Sequence, residues 1–166
     1  MSLASLNAAD PIDAAQMFRQ CCTAERWVES MASARPFSGE AQLRDTADQV
    51  WQGLAEADYL QAFDGHPKIG DVNSLKSKYA DTKALASGEQ SSVATASDAV
   101  IAALAEGNRA YEEKFGFIFI VCATGKSAEE MLQLLKARLP NDRPQELINA
   151  AEEQRKIFQL RLEKLL

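Results

Sequence analysis

The chain has 166 residues, of which 46% are hydrophobic, 25% charged and 7% aromatic, and these proportions are typical of a globular protein in water. Eighteen Lys and Arg residues against 24 Asp and Glu residues leave a formal net charge of -6. This balance argues against the broad basic surface that binding to a phosphate backbone requires. We therefore expect one domain over residues 1–166 with no nucleic-acid partner.

The chain offers no obvious segment for insertion into a membrane. Its longest strongly apolar run, Phe115 to Ala123, is about half of the roughly 20 residues that cross a bilayer as a helix. The opening sequence MSLASLNAAD lacks the basic region and hydrophobic core of a secretory signal. We therefore expect a cytoplasmic protein without membrane contact.

The cysteines and the histidine argue against a metal site. Cys21 and Cys22 are adjacent and Cys122 stands alone, so the paired spacing of zinc sites and of disulfide frameworks is missing. His66 is the only histidine, and a His-rich metal site cannot be built from one such residue. We expect no metal and no disulfide, as in a reducing compartment.

Apolar residues recur at helical spacing through the first third of the chain. Asp10 followed by Pro11 predicts a helix start, because proline lacks only an N–H that would be unpaired there. A second helix over residues 24–34 should end before Pro36. A short helical segment is expected over residues 57–63. Between these two lies a helix that Ser38 is expected to cap, with an apolar stripe formed by Leu43, Ala47, Val50, Trp51 and Leu54.

Glycine and proline interrupt the pattern over residues 64–71, which predicts a structured loop. Helical spacing resumes near Val93 and breaks at Gly116, after which the apolar run is either a strand or a buried extended segment. Ser127 and Glu130 form a capping-box pattern, and a last long helix should follow Pro140. Since the chain contains one candidate strand at most, we predict an all-α, single-domain irregular bundle of about seven or eight helices.

Two charged or titratable residues break the local pattern. On a wheel of about 100° per residue from Leu147, Arg161 falls at roughly 320°, inside the apolar arc of the last helix. An inward guanidinium needs a carboxylate, carbonyl groups or an anionic ligand, although Arg161 could also extend along the helix or pair structurally with an acid. His66, on a turn between glycines, is either a proton-transfer group or an ordinary turn residue.

Other polar residues have plain structural explanations beside functional ones. Glu89 precedes the helix near Val93, and a carboxylate at a helix start is favoured by the helix dipole alone. Lys68 could act as a Schiff-base nucleophile, but a solvated loop lysine fits the polar surroundings better. Composition and spacing alone therefore predict only a soluble helical domain.

Three strings occur in order along the chain and carry more information. They are HPKIGD at 66–71, EQ at 89–90 and FGFIFIVCA at 115–123. Together with the C-terminal run from Leu147 to Leu162, they resemble the family of 2-oxo-4-hydroxy-4-carboxy-5-ureidoimidazoline (OHCU) decarboxylases, which form (S)-allantoin in the last step of urate breakdown. The resemblance covers nearly the whole chain.

The resemblance implies an all-helical, usually dimeric enzyme that acts on a small molecule without cofactor or metal. By motif position, His66, Glu89 and Arg161 would be the catalytic residues, and Pro67 and Gln90 would bind substrate. The other implied substrate-binding residues belong to the apolar segment, as backbone donors and acceptors or as apolar walls: Phe117, Phe119, Ile120, Val121, Cys122 and Ala123. One departure stands out, because the family often carries a serine where this chain has Ala86, and Ser87 lies one position late.

Two alternatives remain open at this point. A non-catalytic helical interaction module would explain the amphipathic helices equally well, but it would not explain the ordered motifs. The same fold acting on a related ureido acid would explain both.

Overall fold

The computed structural model describes residues 2–66 and 98–166. These residues form eight helices and no strand, which confirms the all-α prediction. The helices are α1 (Leu3–Ala8), α2 (Pro11–Cys21), α3 (Glu25–Ser33), α4 (Glu40–Gln52), α5 (Glu56–Asp64), α6 (Asp98–Phe115), α7 (Ala128–Arg138) and α8 (Arg143–Leu165).

The described residues divide into two compact units. The first contains residues 2–66 and 151–166, and the second contains residues 98–150. Helix α8 contributes its first eight residues to the second unit and the remainder to the first.

Residues next to the helix ends explain several of the helix starts. Pro11 is the first residue of α2, and the Ser127 hydroxyl accepts the Glu130 N–H at 3.2 Å at the start of α7. Asp142 caps α8 in the same way through the N–H of Gln145, at 2.9 Å. The starts at Pro11 and Ser127 match the sequence prediction, although Asp10, the N-cap of α2, makes no side-chain capping hydrogen bond.

The structure differs from the sequence prediction at the start of α4, adds helix α1, and decides between the two alternatives for the apolar run. Helix α4 begins one residue later than predicted, with Gly39 rather than Ser38 as its N-cap, and the Ser38 N–H donates to the Gln42 side chain at 2.6 Å. Helix α1 was not predicted, since its six residues are too few to show an apolar period. Phe115 ends α6 and residues 116–127 are neither helix nor strand, so the strand alternative is wrong.

The core of the first unit is aromatic and includes the C-terminal part of α8. The Trp27 indole donates to the Ala47 carbonyl at 3.1 Å and its ring lies 5.0 Å from that of Phe158. Trp51 packs edge-on against the same ring at 5.6 Å. Since Phe158 and Leu162 are fully buried, with each such side chain stabilising the fold by about 1.5–3 kcal/mol, the rotation of α8 about its axis is strongly fixed.

The second unit is built around a buried carboxylate. Glu146 is fully buried and accepts hydrogen bonds from Tyr111 at 2.6 Å, Arg138 at 2.7 Å, Asn141 at 2.8 Å and Asn149 at 2.7 Å. Burial raises the pKa of this carboxyl, but the four hydrogen bonds outweigh burial and the pKa lies below its usual value. The carboxylate is therefore charged and satisfied, as a buried charge must be.

Arg138 connects this carboxylate to the apolar segment that follows α6. Its guanidinium also donates to the Ile120 carbonyl at 2.7 Å and lies 4.7 Å from the centre of the Phe119 ring. Within the second unit, an ion pair therefore holds the backbone of residues 119 and 120 in place.

We predict that Arg138→Met lowers the free energy of unfolding by about 3 kcal/mol, because it leaves the Glu146 carboxylate buried without its cation. Urea unfolding followed by circular dichroism measures this change. Arg109→Met is the matched control, since Arg109 pairs at 2.9 Å with Glu106 on an exposed helix face, and it should cost no more than about 0.5 kcal/mol. Equal losses in the two variants would contradict the structural role of Arg138.

Candidate active site

His66 lies directly after α5, on a turn that packs against the connection between α2 and α3. The backbone N–H of His66 donates to the Phe63 carbonyl at 3.1 Å, and the backbone N–H of Gly65 donates to the Ala62 carbonyl at 3.2 Å. A Cβ at position 65 would overlap the Thr23 side chain, so only glycine permits this close approach. The turn therefore presents the imidazole from a fixed backbone.

The imidazole is half-buried and has one side-chain partner among the described residues. Its Nε2 lies 2.5 Å from the Oε1 of Gln154, a residue of α8 that is only 1% exposed. In the described part of the chain, the amide nitrogen of Gln154 is one of two buried side-chain polar atoms without a hydrogen-bond partner, the other being Oε1 of Gln159. Most buried side-chain polar atoms are paired, so this nitrogen is unusual.

Arg161 lies about two turns beyond Gln154 on the same helix, and its charge lowers the pKa of the same imidazole. Its guanidinium donates to the Cys21 carbonyl at 3.3 Å, at the C-terminus of α2, where the helix dipole favours a cation. Arg161 is exposed. The prediction of a guanidinium that faces the core is therefore wrong, because the apolar side chains of Phe158 and Leu162 occupy the core face.

The surroundings of His66 favour its neutral form. Burial lowers the pKa of the imidazole, the hydrogen bond to Gln154 raises it, and the positive charge of Arg161 lowers it again. The net effect places the pKa below its ordinary value of 6.5. At neutral pH the site therefore holds an uncharged base beside a permanent cation, a combination suited to an anionic substrate that must exchange a proton.

The neighbouring thiols do not take part in this chemistry. Burial raises the pKa of Cys21 to about 11 and that of Cys22 to about 12. Both thiols are protonated at neutral pH, and a protonated thiol is a poor nucleophile.

Among residues 2–66 and 98–166, no group of three His, Cys, Asp or Glu side chains is arranged to hold a metal ion. No helix in the same part of the chain is long and apolar enough to cross a membrane.

The other residues implicated by sequence fall in two groups. Pro67, Glu89 and Gln90, like Lys68 and Ser87, lie outside the described residues, so their roles stay predictions. The apolar segment is described within the second unit: Phe117 and Ile120 are buried, and Phe119, Val121, Cys122 and Ala123 are half-buried. Its role in substrate binding also stays a prediction.

Gln154 was missed in the sequence analysis, although a signal was present. On the wheel used for Arg161, Gln154 falls at about 340°, well inside the apolar arc. A polar residue at that angle needs a hydrogen-bond partner. A charged residue such as Arg161 is conspicuous in an apolar arc, whereas the uncharged amide of Gln154 is not.

Comparison with known proteins gives a consistent result. The sequence model of the OHCU decarboxylase family matches residues 7–163. The chain is 35% identical over 148 residues to the uric acid degradation bifunctional protein TTL of Arabidopsis thaliana, covering 89% of this chain and 46% of that protein. It is 35% identical over 136 residues to the 2-oxo-4-hydroxy-4-carboxy-5-ureidoimidazoline decarboxylase of Amia calva, covering 81% of this chain and 76% of the other.

Solved structures agree at the level of the fold. A crystal structure of OHCU decarboxylase in the presence of (S)-allantoin superposes with a TM-score of 0.72 at 37% identity, covering 89% of this chain and 95% of that one. An (S)-allantoin synthase structure shares the fold with a TM-score of 0.74 at 16% identity, and this chain spans 54% of it. The chain also spans only 27% of a second bifunctional relative, from Bacillus sp. (strain TB-90).

We predict that Arg161→Gln raises the pKa of His66, because it removes a positive charge that disfavours the imidazolium. Titration by NMR measures this pKa without assignment, since the chain has one histidine. Arg155→Gln is the control on the same helix, because Arg155 is paired with Glu152 and Asp48, and it should leave the His66 pKa unchanged. A pKa that stays the same in both variants would show that Arg161 does not act on His66.

Proposed function

Because this chain belongs to the OHCU decarboxylase family, we propose that it decarboxylates 2-oxo-4-hydroxy-4-carboxy-5-ureidoimidazoline to (S)-allantoin in urate breakdown. The observation that carries the proposal is the neutral, half-buried imidazole of His66, held by Gln154 and influenced by the cation of Arg161. These residues provide a base and a positive charge for a small carboxylic acid.

The substrate itself provides the electron acceptor. Carbon 4 bears both a hydroxyl and a carboxylate, so the ring double bond of the imidazoline joins carbon 5 to the neighbouring nitrogen. When the bond to the carboxylate breaks, its electron pair forms a double bond between carbons 4 and 5 and displaces the ring electrons onto that nitrogen, which takes a proton from solvent. The protein therefore needs to supply proton transfer and positioning rather than an electron-accepting cofactor.

The resulting enol must then move one proton to become allantoin. The hydroxyl on carbon 4 loses its proton to become the ring oxo group, and carbon 5 gains a proton and becomes the stereocentre. We assign both transfers to His66, because a neutral imidazole accepts the first proton and the imidazolium, with its lowered pKa, readily donates the second. Donation to one face of carbon 5 sets the S configuration.

Arg161 has a binding role in this proposal. Its guanidinium attracts the substrate carboxylate, which the net charge of -6 would otherwise repel at long range. The carboxylate charge disappears with CO2, so a tight ion pair would stabilise the ground state more than the transition state. Arg161 therefore orients the anion and raises affinity rather than driving the bond cleavage.

Three further features belong to the proposal through family resemblance. Glu89 would act on the substrate together with His66, and Pro67 and Gln90 would contact substrate. The working form would be a cytoplasmic homodimer.

We predict that His66→Asn folds normally and lowers turnover by about 10²-fold or more, because asparagine cannot exchange a proton near neutral pH. Urate is converted by urate oxidase and the following hydrolase, and the appearance of (S)-allantoin is followed by circular dichroism with and without the protein. Lys156→Gln, on an exposed part of α8, is the control and should retain full activity.

Each outcome of this assay has a distinct meaning. Unchanged turnover in His66→Asn would remove the histidine from the mechanism. If the unaltered protein fails to accelerate (S)-allantoin formation but consumes a related ureido acid, the fold serves a different substrate. Failure with every ureido acid would favour the non-catalytic interaction module.

We predict that Arg161→Leu raises KM at least tenfold with a smaller change in kcat, because the lost interaction acts mainly on the bound carboxylate. Steady-state rates in the same dichroism assay separate the two constants. Unfolding in urea provides the control measurement, since Arg161 is exposed and its removal should cost little stability. Lower stability with unchanged kinetics would make Arg161 a structural residue.

A further inference from the structure

We infer that Gln154 is a second binding residue of this site, whose amide oxygen holds the proton of His66 on Nε2 and whose amide nitrogen donates to an oxygen of the substrate. The inference deepens the proposed function and rests on it for the identity of the substrate. It rests on the geometry of the first unit for the contact with His66.

The oxygen side of the amide determines the tautomer of His66. The amide oxygen of glutamine can only accept hydrogen bonds, and it lies 2.5 Å from Nε2 of His66. Nε2 must therefore carry the hydrogen, which leaves the lone pair of the neutral ring on Nδ1. No partner for Nδ1 is present among residues 2–66 and 98–166, so Nδ1 is the nitrogen available for proton exchange with substrate.

The nitrogen side of the amide is the unusual feature. It is buried in a residue that is 1% exposed and has no hydrogen-bond partner among the described residues, and a buried donor left unpaired is destabilising. It is bonded to the same carbon as the oxygen that contacts His66, so an acceptor that approaches the imidazole is also close to this donor. The substrate offers three kinds of acceptor, namely a carboxylate, a ring oxo group and a ureido carbonyl.

The Glu146 cluster contains a buried polar side chain that the protein itself saturates. Both oxygens of that buried carboxylate are saturated by protein donors, including the amides of Asn141 and Asn149. Gln154 and Gln159 are each saturated on one side only among the described residues, but the open group of Gln154 is a donor and its bonded side contacts the imidazole. A substrate oxygen bound next to the base His66 would supply the hydrogen-bond acceptor that the Gln154 nitrogen lacks.

The opposite orientation of the amide makes a different prediction. If the amide were turned over, its nitrogen would donate to Nε2 of His66, the ring proton would reside on Nδ1, and the buried oxygen would lack a donor. The two orientations therefore differ in which ring nitrogen carries the proton.

The first test is made on the free protein, without substrate. Long-range proton–nitrogen NMR of the single histidine, in uniformly ¹⁵N-labelled protein at a pH where the ring is neutral, identifies the protonated nitrogen. We expect the Nε2–H tautomer, with a slowly exchanging, downfield Hε2 signal that Gln154→Met abolishes. Gln159→Met is the matched control, because Gln159 lies on the same helix and donates to Arg44 and Asp48 instead. An Nδ1–H tautomer, or an Hε2 signal that survives in Gln154→Met, would overturn the inference.

The second test separates the two sides of the amide. Gln154→Glu keeps an acceptor for His66 but lacks the donor, so we expect the Hε2 signal to persist while KM rises at least tenfold. Gln154→Met lacks both groups, so we expect a raised KM together with a kcat lowered by about tenfold or more. KM unchanged in both variants would show that the amide nitrogen does not bind substrate. Circular dichroism checks that each variant is folded, and if Gln154→Glu does not fold, KM of Gln154→Met against that of Gln159→Met decides the question.

Failure of this inference is distinguishable from failure of the proposed function. If the protein does not form (S)-allantoin but shows the Gln154-dependent Hε2 signal, the contact with His66 holds and the substrate is wrong. If (S)-allantoin forms normally in Gln154→Met and the Hε2 signal is unchanged, the proposed function holds and the inference about Gln154 is wrong.

Discussion

The hydrogen bond between His66 and Gln154 ties the single imidazole of this protein to the interior of its first unit. One partner lies on a turn whose close packing against Thr23 requires Gly65, and the other lies on α8, whose rotation is fixed by Phe158 in the aromatic core. Core packing therefore determines the position of the base. A change in the core that rotated α8 by a small angle would move the amide away from the ring.

Charge placement distinguishes the two units. In the second unit, the Glu146 carboxylate is fully buried and fully bonded, which is the pattern of a structural network. In the first unit, the Arg161 cation is exposed, the imidazole is uncharged at neutral pH and the Gln154 nitrogen has no partner in the described ranges 2–66 and 98–166. Satisfied polar groups hold the fold together, whereas polar groups left open beside a base mark the place where a ligand completes the hydrogen bonding.

Local sequence patterns predicted some parts of this structure well and others poorly. The starts at Pro11 and Ser127 were predictable because the capping group and the helix are adjacent in the chain. The cap at Gly39 was not, since glycine has no side chain that could mark the position and Ser38 beside it has a better capping side chain. The wheel placed Arg161 within the apolar arc but could not show that its long side chain ends at the surface, because a wheel gives direction about an axis and not depth.

The sequence by itself determined the helical class, the family, and His66 as the candidate base, because periodicity, ordered motifs and residue identity are properties of the chain alone. Tertiary structure decided which groups surround that base. The pairing of His66 with Gln154 joins residues 88 positions apart, and the contact between Arg161 and the end of α2 joins residues 140 positions apart. Such contacts depend on how helices pack in three dimensions, and that packing is set by the whole core rather than by any local segment.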